Sequence, residues 1–87
     1  MSRQIRLDWI VSFINSYTAE TGFFPTSEWI AMYTDPKVTS ALINMDLRVL
    51  RQRGLVTMLK VADSDHPCGH VYYYETAQAR AVMEQCK

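Results

Sequence analysis

The sequence predicts an α+β fold, with three helices followed by a β-hairpin and a fourth helix. Three observations in its 87 residues point to this. Apolar residues recur at helical spacing in separate stretches at 7–17, 29–33 and 42–50. After Gly54 the pattern changes to two short runs rich in β-branched and aromatic residues. Gly22 with Pro25, and later Gly54, stand where helices are expected to stop.

Each element follows in order. The first helix is expected over residues 3–19, with Leu7, Ile10, Phe13, Ile14 and Tyr17 on one face and Asp8, Ser12 and Asn15 opposite. Gly22 closes it, because glycine accepts the left-handed conformation of a helix end. Phe23-Phe24-Pro25 is then an extended link, since proline keeps the residue before it out of helical geometry. Thr26 or Ser27 can cap a short second helix, with Glu28 in its first turn opposing the helix dipole. Trp29, Ile30 and Tyr33 are its expected buried positions. Thr34-Asp35-Pro36-Lys37 reads as a turn. Thr39 or Ser40 caps a third helix that ends at Gly54. Its core stripe is Ile43, Leu47 and Leu50, widened by Leu42 and Val49, while Ala41, Asn44, Met45, Arg48 and Gln52 project the other way. Strands are expected at 55–62 and 70–74, joined by the loop 63–69. Thr76 can cap a last helix running to Cys86, with Ala79, Val82, Met83 and Cys86 on one side.

This is the order of a winged helix-turn-helix in a single domain over 1–87. The helix-turn-helix falls at about 26–53, the wing at about 55–74 and a C-terminal helix at about 76–86. Two stretches carry a resemblance. Thr21-Gly22-Phe23-Phe24-Pro25-Thr26-Ser27-Glu28-Trp29-Ile30-Ala31 resembles the DNA-binding domain of LexA-type repressors, which share a Thr-Gly-x-x-Pro-Thr link before a helix carrying Ile-Ala. The likeness resumes at Leu47-Arg48-Val49-Leu50-Arg51-Gln52-Arg53-Gly54-Leu55-Val56, an ending common to many winged-helix proteins. In the order of its elements the likeness covers roughly residues 3–62. The resemblance implies that the third helix enters the DNA major groove, with Ser40, Ala41, Asn44 and Met45 at the positions that meet bases. Of these, Asn44 and Ser40 are the hydrogen-bonding readers, so the family's target sequence does not carry over. No protease domain is expected, so the family's self-cleavage does not carry over.

Composition narrows the function classes. A hydrophobic content of 48% with 21% charged residues fits one compact domain and not a disordered tail. No apolar run approaches the roughly 20 residues of a membrane span, and no signal-peptide pattern opens the chain. A soluble, cytoplasmic protein with reduced thiols at Cys68 and Cys86 is the expectation. Net charge is zero but polarised. Residues 36–62 hold Lys37, Arg48, Arg51, Arg53 and Lys60 against the single acid Asp46, a balance of +4, and the remainder carries −4. The positive stretch is the expected DNA face.

Asn44 can pair bidentately with adenine, and Arg48, one turn on, can reach guanine or phosphate. Ala41 and Met45 can touch thymine methyl groups. Lys37, Thr39, Arg51, Arg53 and Lys60 complete the expected contact set, the cations as phosphate contacts. His66 or His70 can meet phosphate at the wing tip. The loop Asp63-x-Asp65-His66-x-Cys68-x-His70 holds every type of transition-metal ligand, but its spacing matches no zinc pattern, and a polar loop without metal or other cofactor is the expectation. Tyr72 and Tyr74 should share one face of their strand and Tyr73 the other, as core or interface residues. Trp9, with Val82 and Met83, is a candidate dimer surface. No catalytic triad, phosphate-cradling glycine loop or carboxylate pair is visible, so an enzyme is not expected. The reading is a DNA-binding transcriptional regulator, a compact repressor or activator of the kind carried by phages and mobile elements, acting as a homodimer on duplex DNA. The alternative is a winged-helix module that binds a host or polymerase protein. A third candidate is a metal-responsive switch built on the 63–70 loop.

Overall fold

The computed structural model describes residues 2–34 and 38–85. The architecture is α+β, in the order α1 (Arg3–Thr21), α2 (Ser27–Tyr33), α3 (Ser40–Gln52), β1 (Thr57–Ala62), β2 (His70–Glu75) and α4 (Ala77–Gln85). Lys37, most of the expected turn before α3, and Cys86 lie outside the described residues. Among the described residues no helix is long and apolar enough to cross a membrane.

Hydroxyl side chains start all four helices. Ser2 Oγ accepts the Ile5 N–H at 3.3 Å, Thr26 Oγ1 the Trp29 N–H at 3.3 Å, Thr39 Oγ1 the Leu42 N–H at 3.2 Å and Thr76 Oγ1 the Ala79 N–H at 3.0 Å. Each satisfies a donor that the helix cannot satisfy internally. Gly22, at φ 76°, closes α1 by donating its N–H to the Thr18 carbonyl at 2.9 Å. Gly54, also at φ 76°, turns the chain out of α3. The Leu55 N–H reaches back to the Leu50 carbonyl at 2.9 Å, so Leu55 still belongs to the helix end. That is why β1 begins at Thr57 and not at residue 55.

β1 and β2 form an antiparallel pair in the register Thr57↔Glu75 to Ala62↔His70. The Tyr74 N–H points away from β1 and donates to the Pro25 carbonyl at 2.9 Å, so the extended link before α2 lies along the free edge of the hairpin. Tyr74 thereby joins the core. Leu7, Ile10 and Ile14 of α1, Ile30 and Ala31 of α2, Ile43, Leu47 and Leu50 of α3, Val56 and Ala79 complete it. At about 25 cal/mol per Å² of apolar surface, this burial is the main stabilising term.

Two polar features bind α1 to its neighbours. Asp46, only 1% exposed, accepts from Arg6 Nε and from Arg6 Nη2, the latter at 3.1 Å. The hydrogen bonds to this carboxylate, reinforced by its charge and opposed by burial, hold the Arg6 guanidinium above its ordinary range. On another side of α1, Asn15 accepts from the Thr76 hydroxyl and donates to Gln78 Oε1 at 3.3 Å, fixing α4. Asn15, expected on a solvated face, instead faces α4.

One further expectation is corrected. Trp29 and Tyr33 are 42% and 55% exposed, because α2 has only seven residues and buries a single narrow stripe at Ile30 and Ala31. They continue an aromatic row begun on α1. Trp9 stacks on Phe13 at a centroid distance of 5.1 Å, Phe13 on Tyr33 at 5.6 Å and Tyr33 on Trp29 at 5.9 Å, with Tyr17 tilted against both Phe13 and Trp29. Trp9, at the start of this row, lies about 120° around α1 from Asn15 at 100° per residue.

Two substitutions of opposite sign test this account of the core by urea unfolding. Arg6→Ala leaves the buried Asp46 carboxylate with only the more exposed Arg3 at 3.9 Å and should cost about 3 kcal/mol. The Thr18 hydroxyl is buried with no hydrogen-bond partner among the described residues. Thr18→Val should therefore stabilise the fold, by about 1 kcal/mol.

Candidate nucleic-acid interface

The outward side of α3 is set by what its inward side buries. With Ile43, Asp46, Leu47 and Leu50 turned to the core, Asn44, Arg48 and Arg51 fall on one stripe at i, i+4 and i+7. All three are exposed, and Met45 beside them is 61% exposed. β1 and β2 stand across from this stripe. Between them runs a groove of about 990 Å³ whose α3 wall includes Asn44, Met45, Arg48 and Arg51 and whose hairpin wall includes Met58, Tyr72 and Tyr74. Lys60 is paired with Tyr72 in the register and so shares its face of the hairpin.

A second, smaller groove of about 350 Å³ continues from the first, with Asn44, Tyr72 and Tyr74 lining both. Its far wall holds Trp29 of α2 and His66, Cys68 and His70 of the hairpin loop. That loop is closed by its own backbone, with Asp63 N–H donating to the Gly69 carbonyl at 3.1 Å and Gly69 N–H to the His66 carbonyl at 2.9 Å. His66 Nδ1 accepts the Cys68 N–H at 3.3 Å, which leaves the neutral ring's proton on Nε2, a donor suited to an anion. Among the described residues no three His, Cys, Asp or Glu side chains gather as a metal site.

The electrostatics of this face are simpler than the net charge suggests. Asp46, the only acid between 36 and 62, is buried under Arg6 on the opposite side of α3. Arg48, Arg51, Arg53 and Lys60 have no ion-pair partner among the described residues. Burial pushes the Tyr74 phenol above its ordinary value of 10.0, while the nearby Arg51 charge pulls it back down.

No family model, curated protein or solved structure matches this chain. The geometry of the site therefore carries the functional argument alone.

The expected contact residues divide into three groups. Asn44, Met45, Arg48 and Arg51 come together in the larger groove with Lys60 alongside, and His66 joins through the smaller one. Ser40 and Ala41 are exposed at the start of α3 but line neither groove, Thr39 commits its hydroxyl to the cap, and Arg53 follows the helix as its C-cap. Tyr72, Tyr74 and Met58 of the hairpin wall were missed as members of the site. The alternation that puts Tyr72 and Tyr74 on one face was visible in the sequence, but not that this face looks at α3.

The proximity of Arg51 to Tyr74 is directly measurable. An ultraviolet titration of the folded protein should show a phenol ionising above pH 10.0, and Arg51→Ala should move that component higher still. A component unmoved by the substitution would place Arg51 away from the groove wall.

Proposed function

We propose that this chain is a winged helix-turn-helix protein that binds double-stranded DNA, with α2 and α3 as the helix-turn-helix and the β1–β2 hairpin as its wing. One observation carries the reading. Asn44, Arg48 and Arg51 follow one another along the outward stripe of α3, with no acid among them and Lys60 across the groove. The helix order, and the Pro25–Tyr74 bond that ties the link before α2 to the wing, support the same layout.

In this arrangement α3 lies in the major groove. Asn44 sits nearest its entering end as the base reader, with adenine its best partner through paired donor and acceptor. Arg48 reads guanine or grips phosphate, while Arg51, Arg53 and Lys60 position the domain through the backbone. His66 Nε2 meets phosphate from the wing. The role is that of a compact transcriptional regulator.

The reading fixes how affinity depends on salt. The logarithm of the association constant for a random duplex should fall linearly with the logarithm of salt concentration, at a slope of about −3 to −4 for four described cations. Arg48→Ala should weaken binding to all sequences and flatten the slope by about one. Asn44→Ala should leave the slope alone and cost about 1–3 kcal/mol on a selected site only. Fluorescence anisotropy measures all three, and no binding at low salt sinks the proposal. Met45, exposed beside Met58 and Tyr72, favours a second reading in which an apolar protein segment lies in the groove. Absence of duplex binding with retention of such a segment would select it.

A further inference from the structure

We infer that the aromatic row on α1 and α2 is the contact between two copies of this chain, with the two α1 helices packed antiparallel across a two-fold axis near Phe13. Trp29 also borders the smaller groove, but the rest of the row lies outside both grooves, and the test contains no DNA.

The row consists of Trp9, Phe13 and Tyr17 on α1 with Trp29 and Tyr33 on α2. Trp29 and Tyr33 remain about half exposed, and Met32 beside them is 54% exposed. At about 150–250 Å² for a whole aromatic side chain, the row offers roughly 500 Å² of accessible apolar surface. That is enough for the centre of a two-fold interface, which needs about 800 Å² per partner once its polar rim is counted.

The geometry of the rings decides against a nucleic-acid base or a cation as the occupant. Trp9 and Phe13 stack at an interplanar angle of 15°, Trp29 and Tyr33 at 15°, and Phe13 and Tyr33 at 30°. Their faces, the electron-rich surfaces that bases and cations use, are largely spent on each other. What remains outward is apolar edge without a charged member. A two-fold contact sets like against like, and an uncharged row meets itself without repulsion.

Charge complementarity along α1 supplies the orientation. Its first turn carries Arg3 and Arg6 and no acid, while its last turn carries Glu20 and no base. Both choices oppose the helix's own dipole, which favours acids at the start and bases at the end. Arg6 is committed to Asp46, but Arg3 is 58% exposed and only 3.9 Å from the same carboxylate, so in an antiparallel second copy each Arg3 lies toward the partner's Glu20 and the two dipoles oppose. Ser12 and Ser16, exposed along the same flank, bring no further charge.

Sedimentation of the full chain over a wide concentration range tests the proposal. The mass should rise from 10.1 kDa to twice that value. Tyr33→Glu places a carboxylate at the centre of the contact and should hold the mass at 10.1 kDa with helical circular dichroism unchanged. Glu20→Lys is the sharper variant. It should stabilise the isolated α1 against its dipole, raising the melting temperature of the dilute protein, yet weaken dimerisation about fivefold to tenfold at low salt. A wild-type chain that stays monomeric throughout overturns the inference. So does a Glu20→Lys variant that dimerises as tightly as the wild type.

Discussion

Asp46 is an acid at the centre of a helix whose other inward residues are all aliphatic. At 1% exposure its carboxylate has exchanged water for the guanidinium of Arg6, forty positions away on α1. A buried carboxylate is tolerated only when its lone pairs are met, so α3 has one rotation about its axis at which Asp46 finds Arg6. At that rotation Ile43, Leu47 and Leu50 enter the core, and Asn44, Arg48 and Arg51 point out. The pair fixes the register of the functional face. It also removes from that face the one acid that α3 carries.

Zero net charge is thus a poor guide to this surface. Among the described residues no acid lines the larger groove: Asp46 is beneath Arg6, Glu75 is buried against Arg80, and Asp8 and Glu20 lie on α1. Glu28 lines the smaller groove, and Asp63 and Asp65 stand in the hairpin loop beside His66. What faces the larger groove is cationic and aromatic, built by two elements that the core holds apart. The other exposed surface, along α1 and α2, is an aromatic row whose own members are uncharged and whose charges stand at its margins. The two have different chemistry because different constraints shaped them. The groove follows from the pairing of Asp46, the aromatic row from the shortness of α2.

Much of the fold could be read directly. The threonine caps at 26, 39 and 76, the glycines at 22 and 54, and the core stripe of α3 all act through neighbours a few residues away, which a single sequence displays. The misreadings have a common source in distance along the chain. Trp29 and Tyr33 look like core residues by type, but a seven-residue helix packs only one narrow stripe, and their ring partners lie on α1. Asn15 looks solvated until Thr76 arrives from sixty-one residues away. The partner of Asp46 is equally remote, so the acid counted against a basic face when it is absent from it. Of the site, Asn44, Met45 and Arg48 were legible from helical spacing, and Arg51 from its charge alone. The hairpin wall of Met58, Tyr72 and Tyr74 was not, because spacing does not say what a strand face looks toward.

The central claim is that the outward stripe of α3 and the facing hairpin form one surface for duplex DNA. Backbone amide shifts of the labelled protein, titrated with a short duplex at low salt, examine it residue by residue. The account places the perturbations at Asn44, Met45, Arg48, Arg51, Lys60, His66 and Tyr72, with Trp9, Phe13 and Tyr17 unmoved. Perturbations centred on the α1 row with α3 unmoved, or none at any residue, would contradict it.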